Sequence, residues 1–390
     1  MVNTSPQVLV APDSFKGTLV ADAVADAIAQ GIREADPTAS VETVPLSDGG
    51  EGFVDCIARA VRGQWVRCAV HDPLMRPIQA EYFVSHDGIA YIEMARASGL
   101  GLLAVDERDP NRTTTYGTGE MILDALQRGY RRIVVGLGGS ATSDGGAGML
   151  SALGWRLYDH HGRVLTPGGL ALQHLSRIDD AEVYPHVRNA HFIAACDVDN
   201  PLLGPQGAAY VYGAQKAAPG SPWTPEPLEH AMQHWAKLVR HHIGVDYSKS
   251  SFTGAAGGTA FALMSFLGAE AVYGIDFIMD LLSFDNRLRR AQLLITGEGR
   301  VDAQTRRGKV VYRVVQKGRN ARIPTIVVAG QREEDVTWLY SLGATAVFSL
   351  VPSGITVDMH QMNTFDHLAQ WSYDVYRLFT CIRQVQCAED

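Results

Sequence analysis

Short apolar runs alternate with amphipathic helical segments at both ends of the chain, and this pattern constrains the fold most strongly. Near the start, an apolar run at 7–11 precedes a helical segment, and a second run at 41–46 follows it. Three more runs, with helical segments between and after them, occur at 292–296, 325–329 and 346–350. Parallel strands need crossover helices of this kind. The two ends therefore predict one doubly wound, Rossmann- or flavodoxin-like parallel sheet of the α/β class.

The middle of the chain has a different pattern. Three apolar runs there are separated only by turns, at 65–70, 78–84 and 89–94. Runs joined this closely are typical of an antiparallel meander, and helix–strand alternation resumes after them. Because 390 residues exceed the size of a usual single hydrophobic core, we predict two domains. One is the doubly wound domain, 1–65 with 286–390, and the other is a mixed α/β domain inserted at 66–285.

Composition and charge limit the classes of function. The formal net charge of −8 argues against nucleic acid or an anionic membrane surface as a partner, so any attraction for anionic substrates has to be local. The five cysteines show neither metal-ligand spacing nor the pattern of a secreted disulfide scaffold. No signal-peptide pattern opens the chain, and no apolar run reaches about 18 residues. These features predict a soluble cytoplasmic protein.

A six-residue phrase occurs twice, as Ser47-Asp48-Gly49-Gly50-Glu51-Gly52 and as Ser143-Asp144-Gly145-Gly146-Ala147-Gly148. Each copy follows a strand-like run and opens into a helical one. Glycines let the backbone approach a ligand closely, and a helix N-terminus presents unpaired N–H groups with a partial positive charge. Both copies therefore predict anion-binding loops, and two such loops suggest an enzyme that brings a nucleotide and an acidic substrate together. The alternative is that Ser and Asp only cap helices in tight turns.

Other polar residues follow predicted strands, where open α/β sheets place their ligands. Ser14 and Lys16 come after the first strand and suit a carboxylate or a phosphate, although a capped turn with a solvated lysine is the alternative. The stretch Gly138-Gly139-Ser140 is neither a Walker A loop nor part of a complete dinucleotide fingerprint. Lys216 is a further candidate for a phosphate contact.

Carboxylates follow two further predicted strands. Asp197 and Asp199 come after a strand at 191–196, and Glu298 and Arg300 follow the run that ends at 296. At a phosphoryl-transfer site, carboxylates hold Mg²⁺ or accept the proton of the attacking hydroxyl. The alternatives are an Asx-turn that closes the first strand, and a buried pair of Glu298 and Arg300 that braces the second loop.

Taken in chain order, these motifs resemble those of one family, the type I glycerate kinases. The matching segments lie at 11–16, 48–52, 114–120, 138–142, 144–148, 196–201, 297–302 and 308–309. The resemblance covers nearly the whole chain and departs at Ala217, where the family usually has glycine after Gln215-Lys216. It implies ATP-dependent phosphorylation of D-glycerate with Mg²⁺, usually at the 2-hydroxyl to give 2-phosphoglycerate. It also implies two α/β domains with the site in the cleft between them.

For such a reaction, chemistry suggests a role for each candidate residue. Asp197 is expected nearest to the glycerate hydroxyl and is assigned a catalytic role together with Lys16. The residues expected to bind glycerate are Ser14, Asp48, Gly49, Gly50 and Arg300. Those expected to bind ATP are Gly138, Gly139, Ser140, Asp144, Gly145, Gly146 and Lys216, and those expected to hold Mg²⁺ are Asp199 and Glu298. ATP is assigned to the inserted domain because its glycine-rich stretch is longer, and the reverse assignment stays open.

The residues leave other functions open. Phosphorylation of the 3-hydroxyl, or of a related small hydroxy acid, would use the same groups. An NAD(P)-dependent oxidoreductase would also use glycine loops, but the dinucleotide fingerprint is incomplete here. A non-catalytic ligand-binding protein is disfavoured by the carboxylate-rich loops.

Overall fold

A computed structural model describes residues 6–15, 17–50, 52–302, 305–351 and 363–389. The chain divides into two compact units. We call them the parallel-sheet unit, which comprises Met1–Ser47 with Ile275–Asp390, and the mixed-sheet unit, which comprises Asp48–Gly274. This division falls after residues 47 and 274, whereas the sequence-based boundaries after 65 and 285 stay a prediction.

The parallel-sheet unit begins the chain with β1 (Gln7–Val10), α1 (Ala21–Ala35) and β2 (Ser40–Thr43). The mixed-sheet unit follows with α2 (Phe53–Ala60), β3 (Gly63–His71), β4 (Pro77–Ser85), β5 (Ile89–Glu93), α3 (Ala95–Ser98), α4 (Tyr116–Gln127), β6 (Arg132–Gly136), α5 (Ala147–Ala152), β7 (Arg156–Asp159), β8 (Leu175–Asp179), β9 (His191–Cys196), α6 (Ala208–Tyr212), α7 (Pro225–Ile243), α8 (Ala255–Leu267) and β10 (Glu270–Tyr273). The remaining elements are α9 (Gly274–Leu281), α10 (Phe284–Leu288), β11 (Leu293–Val301), α11 (Val310–Ala321), β12 (Thr325–Arg332), α12 (Thr337–Leu342), β13 (Ala346–Ser349) and α13 (Thr364–Glu389). Within the described ranges, no helix has both the length and the apolar character needed to cross a membrane.

The parallel sheet has the strand order β13-β12-β11-β1-β2, and every neighbouring pair is parallel. Successive side chains of a strand point to opposite faces, so β12 directs Ile326 and Val328 to one core and Val327 to another. On the first face α1 packs Ile28 against the sheet, and on the second face α11 packs Val315. Helices cover both faces, which confirms the predicted doubly wound α/β sheet.

The mixed sheet has the strand order β10-β9-β6-β5-β4-β3. Strands β10, β9, β6 and β5 are parallel, whereas β4 is antiparallel to both β5 and β3. Strands β3 to β5 are the three closely joined runs, so the predicted meander is confirmed. Helices pack on this sheet around fully buried aromatic rings, among them Tyr82 of β4 and Trp235 of α7.

The four parallel strands of the mixed sheet end at the same edge. Their last residues are Glu93, Gly136, Cys196 and Tyr273. Because β6 and β9 are neighbours, the loops that follow them leave the sheet side by side. The carboxyl edge of parallel strands is where α/β sheets present their functional groups.

Strand β11 is longer than the sequence pattern predicts. Its apolar run ends at residue 296, but the strand continues to Val301 because Glu298 and Arg300 stay in register with β12. A methyl group on Gly297 would collide with the carbonyl oxygen of Val328, so glycine allows the two strands to approach at this point. Glu298 and Arg300 therefore lie on a strand and not in a loop.

Candidate active site

A buried lysine lies at the carboxyl edge of the mixed sheet. Lys216 closes a 3-10 turn after α6 and is only 2 % exposed. Its Nζ donates hydrogen bonds to Ser140 Oγ at 2.8 Å and to the carbonyl oxygen of Thr142 at 2.6 Å. Burial lowers the pKa of Lys216 to about 8, although the negative charges of Asp197 and Asp144 act in the opposite direction. An ammonium in such surroundings interacts with an anion more strongly than a solvated lysine does.

Asp197 belongs to the same site. It is the first residue after β9 and is half-buried. Because β9 pairs with β6, its segment leaves the sheet beside the loop that carries Ser140. The charge of Asp197 acts on Lys216 and favours the ammonium form. The structure thus brings together three residues that the sequence predicts, namely a carboxylate, a hydroxyl and an ammonium.

Asp199 lies two residues further on and is exposed. Its Oδ2 accepts a hydrogen bond from the Tyr273 hydroxyl at 2.8 Å. The next residue, Asn200, is buried and fixes the segment through the Tyr212 hydroxyl at 2.6 Å and the Gln206 carbonyl oxygen at 2.8 Å. Asn200 therefore has a bracing role, whereas Asp199 presents hard carboxylate oxygens at the surface.

The second copy of the repeated phrase holds a carboxylate of the chain itself. Asp144 is 1 % exposed, and its oxygens accept hydrogen bonds from the backbone amides of Thr115 (2.8 Å), Gly146 (3.1 Å) and Gly148 (3.1 Å). Burial raises the pKa of Asp144, and these hydrogen bonds act against that rise. The amide of Gly145 donates to the carbonyl oxygen of Gly257 at 3.0 Å. The amides at the start of α5 thus have acceptors within the protein, and a direct role for Gly145 and Gly146 in ATP binding stays a prediction.

The first copy has the same arrangement with a different carboxylate. Glu93, the last residue of β5, accepts hydrogen bonds from the amides of Gly52 at 3.4 Å and Val54 at 3.3 Å, at the start of α2. Burial raises the pKa of Glu93 to about 7. Within the loop, the Gly50 amide donates to Asp48 Oδ1 at 3.2 Å. At the second copy Asp144 of the phrase itself accepts the helix amides, as the capping alternative expects, whereas at the first copy Glu93 and not Asp48 does so. The assignment of Asp48, Gly49 and Gly50 to glycerate stays a prediction.

The loop of the first copy packs directly against the glycine-rich stretch after β6. The amide of Gly138 donates to the Gly49 carbonyl oxygen at 3.1 Å, and a methyl group on Gly138 would collide with the Cα of Gly50. Side chains at these positions would keep the two backbones apart, which explains the glycines. Asp48, Gly49 and Gly50 thus lie in the mixed-sheet unit, whereas the sequence pattern groups them with the N-terminal strands.

The turn around Lys216 does not need the glycine that the family usually has at the next position. Ala217 has φ −96° and ψ 149°, an extended conformation open to any residue. The departure at Ala217 therefore leaves the backbone of the turn unstrained. Gly139, by contrast, has φ +70°, which favours glycine.

A second group of polar residues lies at the carboxyl edge of the parallel sheet. Asp13 follows β1, and its amide donates to the Gly297 carbonyl oxygen at 2.8 Å. Ser14 donates through its amide to Asp13 Oδ1 at 2.7 Å. Asp13 is not among the predicted site residues, although its position after β1 is a signal that could have identified it. Lys16, predicted to be catalytic, lies outside the described residues.

Glu298 is buried in this group. Its Oε1 accepts a hydrogen bond from the Thr305 hydroxyl at 2.7 Å. Burial raises the pKa of Glu298 to about 8, the charge of Asp13 adds to the rise, and the positive charge of Lys309 opposes it. Arg300, two residues further along β11, is exposed. Glu298 therefore braces the loop through Thr305, and the roles predicted for Glu298 and Arg300 stay predictions.

The acids of the described residues do not form a preassembled metal centre. No group of three or more His, Cys, Asp or Glu side chains suitable for a metal ion occurs in the described part of the chain. Mg²⁺ that acts with a nucleotide usually takes one or two carboxylates and completes its shell with phosphate oxygens and water. The exposed carboxylate of Asp199 fits that requirement.

Comparison with known proteins identifies the family. The model of the glycerate kinase family matches residues 8–380. A glycerate kinase of Bacillus subtilis (strain 168) is 40% identical over 366 residues, which cover 94% of each chain. A glycerate 2-kinase of Escherichia coli (strain K12) is 40% identical over 370 residues, covering 95% of this chain and 97% of the relative.

A solved structure agrees with these sequence matches. The crystal structure from Salmonella typhimurium LT2 that is provisionally assigned as a glycerate kinase 2 superposes with a TM-score of 0.82 at 39% identity. The match covers 97% of this chain and 100% of the other. With sequence and fold in agreement over nearly the whole length, this chain belongs to the glycerate kinase family.

Proposed function

We propose that this protein phosphorylates D-glycerate with ATP, most favourably at the 2-hydroxyl, to give 2-phosphoglycerate and ADP. The family match over residues 8–380 and the similarity to a glycerate 2-kinase support the reaction. The observation that carries the proposal is the buried Lys216 ammonium, held on Ser140 and near Asp197 at the carboxyl edge of the mixed sheet. A phosphoryl-transfer site needs such a cation beside a proton acceptor.

Lys216 and Ser140 are proposed to bind the phosphates of ATP. The ammonium is held by two hydrogen bonds, at 2.8 and 2.6 Å, so its position is set before a ligand arrives. A preorganised cation stabilises the charge that develops on the transferred phosphoryl group without a reorganisation cost. Gly138 and Gly139, in the same loop as Ser140, are proposed to let the polyphosphate approach the backbone.

Asp197 is proposed as the general base. It accepts the proton of the glycerate 2-hydroxyl as that oxygen forms a bond to the γ-phosphorus, and the bond from this phosphorus to the bridging oxygen breaks as ADP leaves with the electron pair. Asp197 is half-buried, and its negative charge favours the ammonium form of the nearby Lys216.

The remaining assignments concern the second substrate and the metal. Ser14, Lys16 and Arg300 are proposed to bind the glycerate carboxylate. Asp199 and Glu298 are proposed as ligands of Mg²⁺, which, when bound with ATP, neutralises the charge of the β- and γ-phosphates. A cation would also favour the ionised form of Glu298, which burial disfavours.

Phosphorus NMR of the products tests the proposal. With ATP, Mg²⁺ and D-glycerate, we expect ADP together with one phosphomonoester whose phosphorus signal is a doublet, because the 2-position carries a single hydrogen. A triplet would mean transfer to the 3-hydroxyl, whose carbon carries two hydrogens, and would contradict the proposed position. The reaction itself would be contradicted if no ADP formed, or if ADP formed equally well without glycerate.

A further inference from the structure

A cavity of about 380 Å³ opens beside the turn that carries Lys216. Its lining comes from the stretch between α6 and α7 and from Arg108, which precedes α4. The lining residues include Arg108, Gln215, Ala217, Pro219, Ser221 and Trp223. None of the described lining residues is acidic.

The cavity is built by the same turn that inserts Lys216 into the protein. The amide of Lys216 donates to the Gly213 carbonyl oxygen at 3.0 Å, and the amide of Ala218 donates to the Arg108 carbonyl oxygen at 2.9 Å. A methyl group on Gly213 would collide with the indole ring of Trp223, so glycine is needed for that ring to take its place. The wall is therefore fixed relative to the Lys216 ammonium.

The lining has the chemistry of a site for a flat heteroaromatic ring. Trp223 offers an indole ring, Arg108 a planar cation, and Gln215 an exposed amide that both donates and accepts hydrogen bonds. Ala217 and Pro219 add apolar surface to the lining. In addition, Arg108 Nε and Trp223 Nε1 are buried donors for which the described residues provide no acceptor.

We propose that this cavity binds the purine base of the nucleotide whose phosphates contact Lys216, an inference that rests on the proposed function. Its volume lies in the range of pockets for drug-sized ligands, about 300–1,000 Å³, and exceeds what a three-carbon acid needs. The indole ring of Trp223 and the apolar surface of Ala217 and Pro219 suit the faces of a planar base. Because Gln215 and Ala217 line the cavity and Lys216 lies between them, one short segment would contact both the base and the phosphates.

The test fills the cavity and compares two probes. Ser221 is exposed and lines the cavity, so Ser221→Trp should occupy it with little effect on folding. We expect the Kd for ADP, measured by calorimetry, to rise about tenfold, because the base loses its pocket. The Kd for inorganic tripolyphosphate, which has no base, should change less than about twofold. Ser176→Trp, at an exposed position of β8 outside the cavity, is the matched control and should bind both probes like the wild type.

The outcomes separate this proposal from the proposed function. An unchanged Kd for ADP in Ser221→Trp, an equal loss for ADP and tripolyphosphate, or a wild type that binds no ADP would overturn the base pocket. An increase in the KM for D-glycerate with an unchanged KM for ATP would also overturn it. If the wild type binds ADP as expected but forms no phosphoglycerate, the proposed reaction is wrong, whereas the result for the pocket stands.

Discussion

The Lys216 ammonium donates a 2.8 Å hydrogen bond to Ser140 Oγ and so joins the turn after α6 to the loop after β6. These residues are 76 positions apart in the chain. The contact holds a cation at the sheet edge where Asp197 also lies. It links a feature of the fold, the neighbouring positions of β6 and β9, to the chemistry of the site.

Removal of the ammonium should impair catalysis far more than removal of its partner. For Lys216→Met we expect kcat/KM for ATP to fall by a factor of about 10³, since a preorganised charge on the transferred group is lost. For Ser140→Ala we expect a loss of about tenfold or less, because Lys216 keeps its bond to the Thr142 carbonyl oxygen. Steady-state ADP release measures both. Equal losses in the two variants would contradict the assignment.

The activity should decline at a lower pH than a solvated lysine would allow. Burial lowers the pKa of Lys216 to about 8, and the ammonium is the form that binds phosphate. The fraction of ammonium therefore falls as the pH rises through about 8, and kcat/KM for ATP should fall with it. In Lys216→Arg the guanidinium stays charged, so this decline should disappear even though the absolute rate is lower.

The same shift has a consequence for stability. Between pH 8 and the ordinary value of 10.5, the unfolded chain holds a proton at Lys216 that the folded chain has released. Stability of the wild type relative to Lys216→Met should therefore rise with pH across this window. Thermal unfolding of the two proteins from pH 7.5 to 10 measures the difference, and a difference independent of pH would contradict a buried, titrating lysine.

Loss of the Asp197 carboxylate should affect the rate more than binding. In Asp197→Asn we expect kcat to fall by a factor of about 10² or more, because the amide cannot accept the hydroxyl proton. Asp199→Asn is the matched control in the same segment. It should raise the Mg²⁺ concentration needed for half-maximal activity and leave the rate at saturating Mg²⁺ much closer to wild type. A kcat for Asp197→Asn near that of the wild type would remove Asp197 from the role of base.

Much of this architecture follows from local sequence patterns, whereas the contacts and roles of the site residues do not. Short apolar runs, separated by helical segments or by turns, predict the parallel sheet and the meander, because strands that are buried in a core leave a local signature. The hydrogen-bond partners of Asp144 leave no such signature in the sequence. Thr115 belongs to a distant segment and contacts Asp144 only in the folded chain. The sequence phrase around Asp144 is equally compatible with an anion site and with a cap. Hydrogen bonds from the helix amides, which tertiary packing determines, favour the cap.

The burial of Lys216 could not be predicted from the sequence either. The small neighbouring residues Ala214 and Ala217 do not indicate that the side chain of Lys216 is enclosed. Its depth results from the contact with the Thr142 carbonyl oxygen, a backbone atom without a residue-type signal.

Glu93 should make stability depend on pH in a window below neutrality. Its pKa is about 7 in the folded protein, above the ordinary value of 4.5, because burial disfavours the charge. From pH 4.5 to 7 the unfolded chain therefore loses this proton before the folded chain does, and the contribution of Glu93 to stability falls as the pH rises. The glutamine in Glu93→Gln cannot titrate. The Tm of this variant should therefore rise relative to that of the wild type as the pH increases from 4.5 to 7.5. A constant difference in Tm across that range would show that Glu93 titrates normally.

The contact between the two glycine-rich loops makes Gly138 intolerant of any side chain. A methyl group there would collide with the Cα of Gly50, a backbone atom that cannot move aside by a rotamer change. We expect Gly138→Ala to lower the free energy of unfolding by about 1–3 kcal/mol, the usual cost of overpacking. Gly101→Ala is the matched control, because a methyl group on Gly101 meets no atom within 4 Å. That variant should stay within about 0.5 kcal/mol of the wild type. Thermal unfolding of the wild type and the two variants measures these differences. Equal stability of Gly138→Ala and Gly101→Ala would mean that the loop with Gly50 does not pack against Gly138 in solution.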